Sequence, residues 1–173
     1  MWVHVILLLL ALIAAPGRGA GARLELFITS DCPIANYYAP TIQQLCRDAG
    51  PKGLSCTLVY EDVDFDDGRL RAHLSEYGYR DIPARIDRDR SIARRAGATV
   101  TPQAVVWDSQ GNVRYRGRID NRYESLGKPR RVVTDRTLEN AVDAVLGGRA
   151  VASPETPALG CHIVFPATGS AHQ

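Results

Sequence analysis

Apolar residues in this chain switch repeatedly between a two-residue and a three-to-four-residue spacing. "RLELFIT" alternates and is rich in β-formers, which predicts a strand over Leu24 to Ile28. After a turn at Cys32, a helix is predicted from about Pro33 to Asp48, because Ile34, Tyr38, Ile42 and Leu45 share one helical face. Pro40 lies inside that stretch and should kink it. "LSCTLVYEDV" predicts a second strand near residues 54 to 60. "DFDDGRLRAHLSEYG" predicts a helix with acidic residues at its start, where the helix dipole favours them. "DIPARID" reads as a short extended piece and "RDRSIARRAGA" as a short helix. "TVTPQAVVWD", the turn "DSQG" and "NVRYRGRI" read as two strands joined by a hairpin. Asp120 to Asp135 reads as a loop. "TLENAVDAVLGG" is a final helix whose buried stripe is Leu138, Ala141, Val142, Val145 and Leu146, ended by Gly147.

Strands alternating with helices, closed by a hairpin and a last helix, predict an α/β domain with helices on both faces of the sheet. The 173 residues suffice for one such domain. Residues 149 to 173 have little periodicity and read as an extended arm. "ALGCHIVF" is an apolar island in that arm, and Ile163, Val164 and Phe165 suggest that it docks.

The N-terminus differs from the rest. Val3 to Ala15 is an apolar run of signal-peptide length, followed by small residues. Ala20-Gly21-Ala22 offers a cleavage site, so residues 1–22 are expected to be removed; an uncleaved membrane anchor is the other reading. Export places residues 23–173 in an oxidising periplasmic or secreted setting. All four cysteines, Cys32, Cys46, Cys56 and Cys161, lie in that part. Cys46 and Cys56 flank "RDAGPKGLS" and are either a loop-closing disulfide or two buried thiols. A net charge of +2 gives no bulk electrostatic case for nucleic acid or an anionic membrane.

Cys32 carries the candidate chemistry. A thiol at the start of a helix meets free N–H groups and the positive end of the dipole, which favour the reactive thiolate. Asp31 beside it opposes that effect. Where a dithiol motif would have its second cysteine, the sequence reads Cys32-Pro33-Ile34-Ala35. A lone thiol can form a mixed disulfide but needs a second thiol to release it. Thirteen residues separate Gly147 from Cys161, and an extended chain covers about 3.3 to 3.6 Å per residue, so Cys161 can reach any part of the domain.

"LELFITSDC", Pro40 eight residues after Cys32, and "ATVTPQAVVWDSQGNVRYRG" together resemble the thioredoxin fold, in particular its redoxin and thiol-specific-antioxidant branch. The resemblance covers residues 23–147 and leaves 148–173 as an added tail. It implies a central mixed sheet, a cis bond at Thr101-Pro102, and a substrate site shaped by Thr29, Asp31, Pro33, Thr101 and Pro102 around Cys32. It implies a thiol-dependent oxidoreductase without metal or cofactor, acting on a protein thiol or disulfide or on a small oxidant. Glutathione, a partner thiol or a distant cysteine would release the mixed disulfide, and Cys161, in its apolar island, is the first choice of resolving thiol. A thiol peroxidase is the same-fold alternative. Thr29 matches the threonine three before a peroxidatic cysteine, whereas Glu25 stands where that motif has proline, and Arg116 or Arg118 would have to assist the thiolate. The other alternative is a binding module or copper carrier using Cys161, His162 and Cys32 as soft ligands. "DVDFDDG" fails the calcium-loop pattern, since its glycine is seventh and its twelfth residue is His73.

Overall fold

Phe27 and its neighbours explain the centre of the fold. Leu24, Leu26 and Ile28 face one way and Arg23, Glu25 and Phe27 the other, and every residue from Leu24 to Ile28 is buried. A strand covered on both faces must be a central one. The computed structural model describes residues 21–166, and the expected signal segment lies outside them except for its last two residues. Strand β1 spans Ala22–Ile28, so the expected cleavage point after Ala22 falls at its first residue.

The remaining elements follow in order: α1 Pro33–Tyr37, α2 Ala39–Ala49, β2 Leu54–Tyr60, α3 Asp67–Glu76, β3 Ala84–Ile86, α4 Ser91–Ala96, β4 Val100–Thr101, β5 Gln103–Trp107, β6 Val113–Gly117, β7 Tyr123–Ser125, β8 Lys128–Pro129, α5 Thr137–Leu146 and β9 Cys161–His162. The main sheet has the order β3-β2-β1-β5-β6. Strands β1, β2 and β3 run parallel, while β5 is antiparallel to both β1 and β6. The architecture is thus a mixed α/β sheet with the main core under α2, α3 and α5 and a smaller core under α4.

Three local outcomes refine the expectation from sequence. The kink at Pro40 is a full break: α1 ends and α2 begins around Tyr38. Pro40 has no N–H to give to Asn36, so the helix resets just before it. The stretch from Asp120 to Asp135 is not bare loop but carries the β7–β8 hairpin, turned at Leu126 and Gly127. Its strands are two and three residues long and largely exposed, so no burial pattern marks them. Cys46 and Cys56 form a disulfide that ties α2 to β2.

The tail docks twice. Arg116 of β6 and Glu155 form a parallel bridge, supported by an ion pair of 2.7 Å between their side chains. Further on, β9 pairs antiparallel with β4, Thr101 opposite Cys161 and Val100 opposite His162. Ile163 then enters the smaller core with Phe27, Val59, Ala93, Ala96 and Ala98, and its N–H donates to Thr99 O at 2.9 Å. Burying an isoleucine contributes roughly 1.5 to 3 kcal/mol, comparable with what a two-residue ladder supplies.

Two measurements test this packing. Cys46→Ser with Cys56→Ser should lower unfolding free energy by about 2 to 3 kcal/mol, the loop-closure value for so short a loop, in denaturant titrations. Ile163→Ala should speed hydrogen exchange at amides 161 to 163 at least about tenfold while leaving β1 amides protected.

Candidate functional site

The loop after β1 is fixed before any chemistry is considered. Asp62, just past β2, accepts from Ser30 N at 3.0 Å and from Ser30 Oγ at 2.7 Å. Asn36 Nδ2 donates to Ser30 O at 2.8 Å, and Asn36 Oδ1 lies 3.2 Å from His73 Nε2. His73 Nδ1 in turn lies 2.8 Å from the Tyr60 hydroxyl. Burial pushes the His73 imidazole below its ordinary pKa, which keeps it neutral in this chain of contacts. Sequence reasoning missed Ser30, Asn36, Asp62 and His73. Only proximity in space joins them.

That loop delivers Cys32 to the N-cap position of α1, with Pro33 as the first helical residue. Cys32 is 1% exposed, and its thiol donates to Thr101 O at 3.5 Å. Thr29 Oγ1 and Thr101 Oγ1 lie 3.2 Å apart. Thr101-Pro102 is a cis peptide, and both residues are buried. Asp31 and Pro33 are exposed at the rim.

Cys161 comes to the same place from the opposite end of the chain. Its Sγ stands 3.8 Å from Cys32 Sγ across the β4–β9 rung. Gly160 precedes it, and a side-chain carbon there would run into the Thr101 carbonyl, so only glycine lets the tail pass this close. Partial burial pushes the Cys161 thiol above its ordinary pKa, and the neighbouring Cys32 and Asp31 push the same way. All seven site residues expected from the sequence therefore fall within one neighbourhood of strand ends and turns. A cleft beside it is lined by Tyr38, Pro102, Tyr123, Pro157 and Leu159.

Other candidates are engaged elsewhere. Arg116 pairs with Glu155 and Arg118 with Asp135 at 2.8 Å. Glu25 is buried and accepts from Arg23 at 2.6 Å and from Trp107 Nε1 at 3.0 Å. Among the described residues no group of three or more His, Cys, Asp or Glu side chains converges as a metal site, and no helix is long and apolar enough to cross a membrane. In "DVDFDDG", Asp66 caps α3 by accepting from Arg69 N at 2.8 Å.

One buried acid lies under the tail. Glu61 follows β2, and Arg90 Nη1 stands 3.0 Å from its Oε2, yet neither carboxylate oxygen has a well-directed hydrogen bond. Arg90 also donates to Val164 O at 3.4 Å, which links this pair to the tail. Burial raises Glu61 from 4.5 to about 8; Arg90 opposes the rise, and Asp87 and Asp62 add to it.

The molecule has a thioredoxin-like fold. A hypothetical protein from Sinorhizobium meliloti 1021 superposes with a TM-score of 0.72 at 28% identity, over 87% of this chain and 82% of that one. An uncharacterized conserved protein from Geobacillus kaustophilus gives 0.73 at 26% identity, over 87% and 80%. A secreted Mycobacterium tuberculosis disulfide oxidoreductase, described as homologous to E. coli DsbE, gives 0.52 at 18% identity, over 72% and 81%. No protein-family model matches the chain, and a search of curated proteins returns no match.

Glu61 generates a prediction with a definite sign. Between about 4.5 and about 8 the folded state holds a proton that the unfolded state has released, so stability falls as pH rises through that window. Glu61→Gln should flatten this slope in denaturation series across the window, whatever its effect on absolute stability.

Proposed function

We propose that the protein is an exported thiol–disulfide oxidoreductase whose redox pair is Cys32 and Cys161. The observation that carries this reading is the 3.8 Å separation of two sulfurs that lie 129 residues apart in sequence. A disulfide needs about 2.05 Å, so a small shift of the tail lets the bond form when a partner disulfide takes up the two electrons and two protons. The tail thus supplies the second thiol that Cys32-Pro33-Ile34-Ala35 lacks, and residues 148–173 act as part of the active unit attached to a domain of residues 23–147.

Thr29, Thr101 and Pro102 frame the buried thiol, and Asp31 and Pro33 form the rim. The partners are protein thiols or disulfides. A periplasmic or secreted location agrees with the Cys46–Cys56 disulfide, because such bonds persist in oxidising compartments. The fold shared with a secreted disulfide oxidoreductase is consistent with the same reading. The peroxidase branch gains no particular support, since Arg116 and Arg118 are held by carboxylates.

Mass spectrometry of the oxidised and reduced protein tests the proposal. The expected map is a stable Cys46–Cys56 bond and a Cys32–Cys161 bond that alone opens under mild reduction. Cys32→Ala and Cys161→Ala should each bring disulfide exchange on a protein substrate down to the uncatalysed rate. Full exchange activity in either variant would overturn the pair, and absent activity in the wild type would leave a binding module.

A further inference from the structure

We infer that Cys161 is the sulfur on which partners exchange, and that Cys32 reacts only within the chain. This assignment rests on the redox pair proposed above and reverses the roles expected from the sequence, where Cys32 meets the partner and Cys161 resolves.

Direction separates the two sulfurs. Cys32 is 1% exposed and belongs to the main core with Ala35 and Tyr38. Cys161 is exposed on β9. The line from Cys32 Sγ to Cys161 Sγ therefore runs from core to solvent. In thiol–disulfide exchange the attacking, central and leaving sulfurs lie in line. An attacker on Cys161 approaches along the outward extension of that line, through solvent. An attacker on Cys32 would have to approach along the inward extension, through packed protein. Access decides which sulfur of a disulfide reacts.

Attack on Cys161 from the solvent side expels Cys32 into the pocket it already occupies beside the Thr101 carbonyl. The tail is also built to hold Cys161 with its outer side open. Ile163 is anchored in the smaller core and Arg90 holds Val164 O, while His162 and Val164 are exposed on either side of that anchor.

A partner dithiol reduces the oxidised pair in two exchanges. A partner thiolate forms a bond to Cys161 Sγ, the Cys32–Cys161 bond breaks, and the electron pair leaves on Cys32. The partner's second thiolate attacks its own sulfur in the mixed disulfide, and the electron pair leaves on Cys161. The partner loses two electrons and two protons; Cys32 and Cys161 gain both as two thiols. In reverse, the Cys161 thiolate opens a partner disulfide and Cys32 then attacks Cys161 to release the partner. In neither direction does Cys32 touch the partner.

Glutathione serves as the probe. Oxidised wild-type protein mixed with reduced glutathione and quenched in acid at short times should show the glutathione adduct on Cys161 by peptide mapping. An adduct on Cys32 would overturn the assignment while leaving the redox pair intact. In parallel, Cys32→Ser protein should take up oxidised glutathione at Cys161 at least about tenfold faster than Cys161→Ser protein does at Cys32. Equal rates, or the opposite order, would also overturn it. If oxidised wild type holds no Cys32–Cys161 bond, the redox pair itself falls and the assignment falls with it.

Discussion

The backbone of Thr101 is the constraint on which the site depends. Its carbonyl receives the Cys32 thiol, its hydroxyl meets Thr29, and its strand pairs with the segment that carries Cys161. The same carbonyl is so close to the tail that position 160 has room only for glycine. One residue therefore registers two sulfurs that come from opposite ends of the domain. A strand rung can do this because pairing fixes relative position along the chain to a single residue.

The two sulfurs are nevertheless held with different firmness. Cys32 sits on a loop whose turns are tied down by Asp62, Asn36 and His73, with α3 behind them and the main core beneath. Cys161 sits on a segment held by a two-residue ladder, one buried isoleucine, and contacts from Arg90 and Arg116. Regions with few buried contacts open at lower free energy than the core. A rigid inner sulfur and a looser outer one suit exchange, since bond formation and release require one of them to move while the other keeps its place.

Two buried glutamates on the same face of the sheet show how context decides the state of a charge. Glu25 is ringed by Arg23, Arg85 and the Trp107 indole, so its burial is compensated. Glu61 has Arg90 close by but no well-directed bond, and Asp87 and Asp62 nearby, so protonation is favoured well above the ordinary carboxylate range. Arg90 contacts both Glu61 and the tail, which links this charge balance to the Val164 carbonyl.

The sequence by itself determined the alternation of strands and helices, the acidic start of α3 and the setting of Cys32 between a strand and a helix. Those features are local: period, capping and proline chemistry act over a few residues and leave their mark in the order of residue types. It also raised Cys161 as a second thiol, because an apolar island in a polar tail signals docking. Tertiary structure decided the rest. The Cys46–Cys56 bond, the ties from Asp62 and Asn36 to Ser30, and the contact of His73 with Asn36 all join residues whose relation is spatial. So does the order of the two sulfurs from core to solvent. Exposure is a property of how layers stack on each other, and nothing in "SDCPIAN" or "GCHI" says which cysteine ends beneath the other.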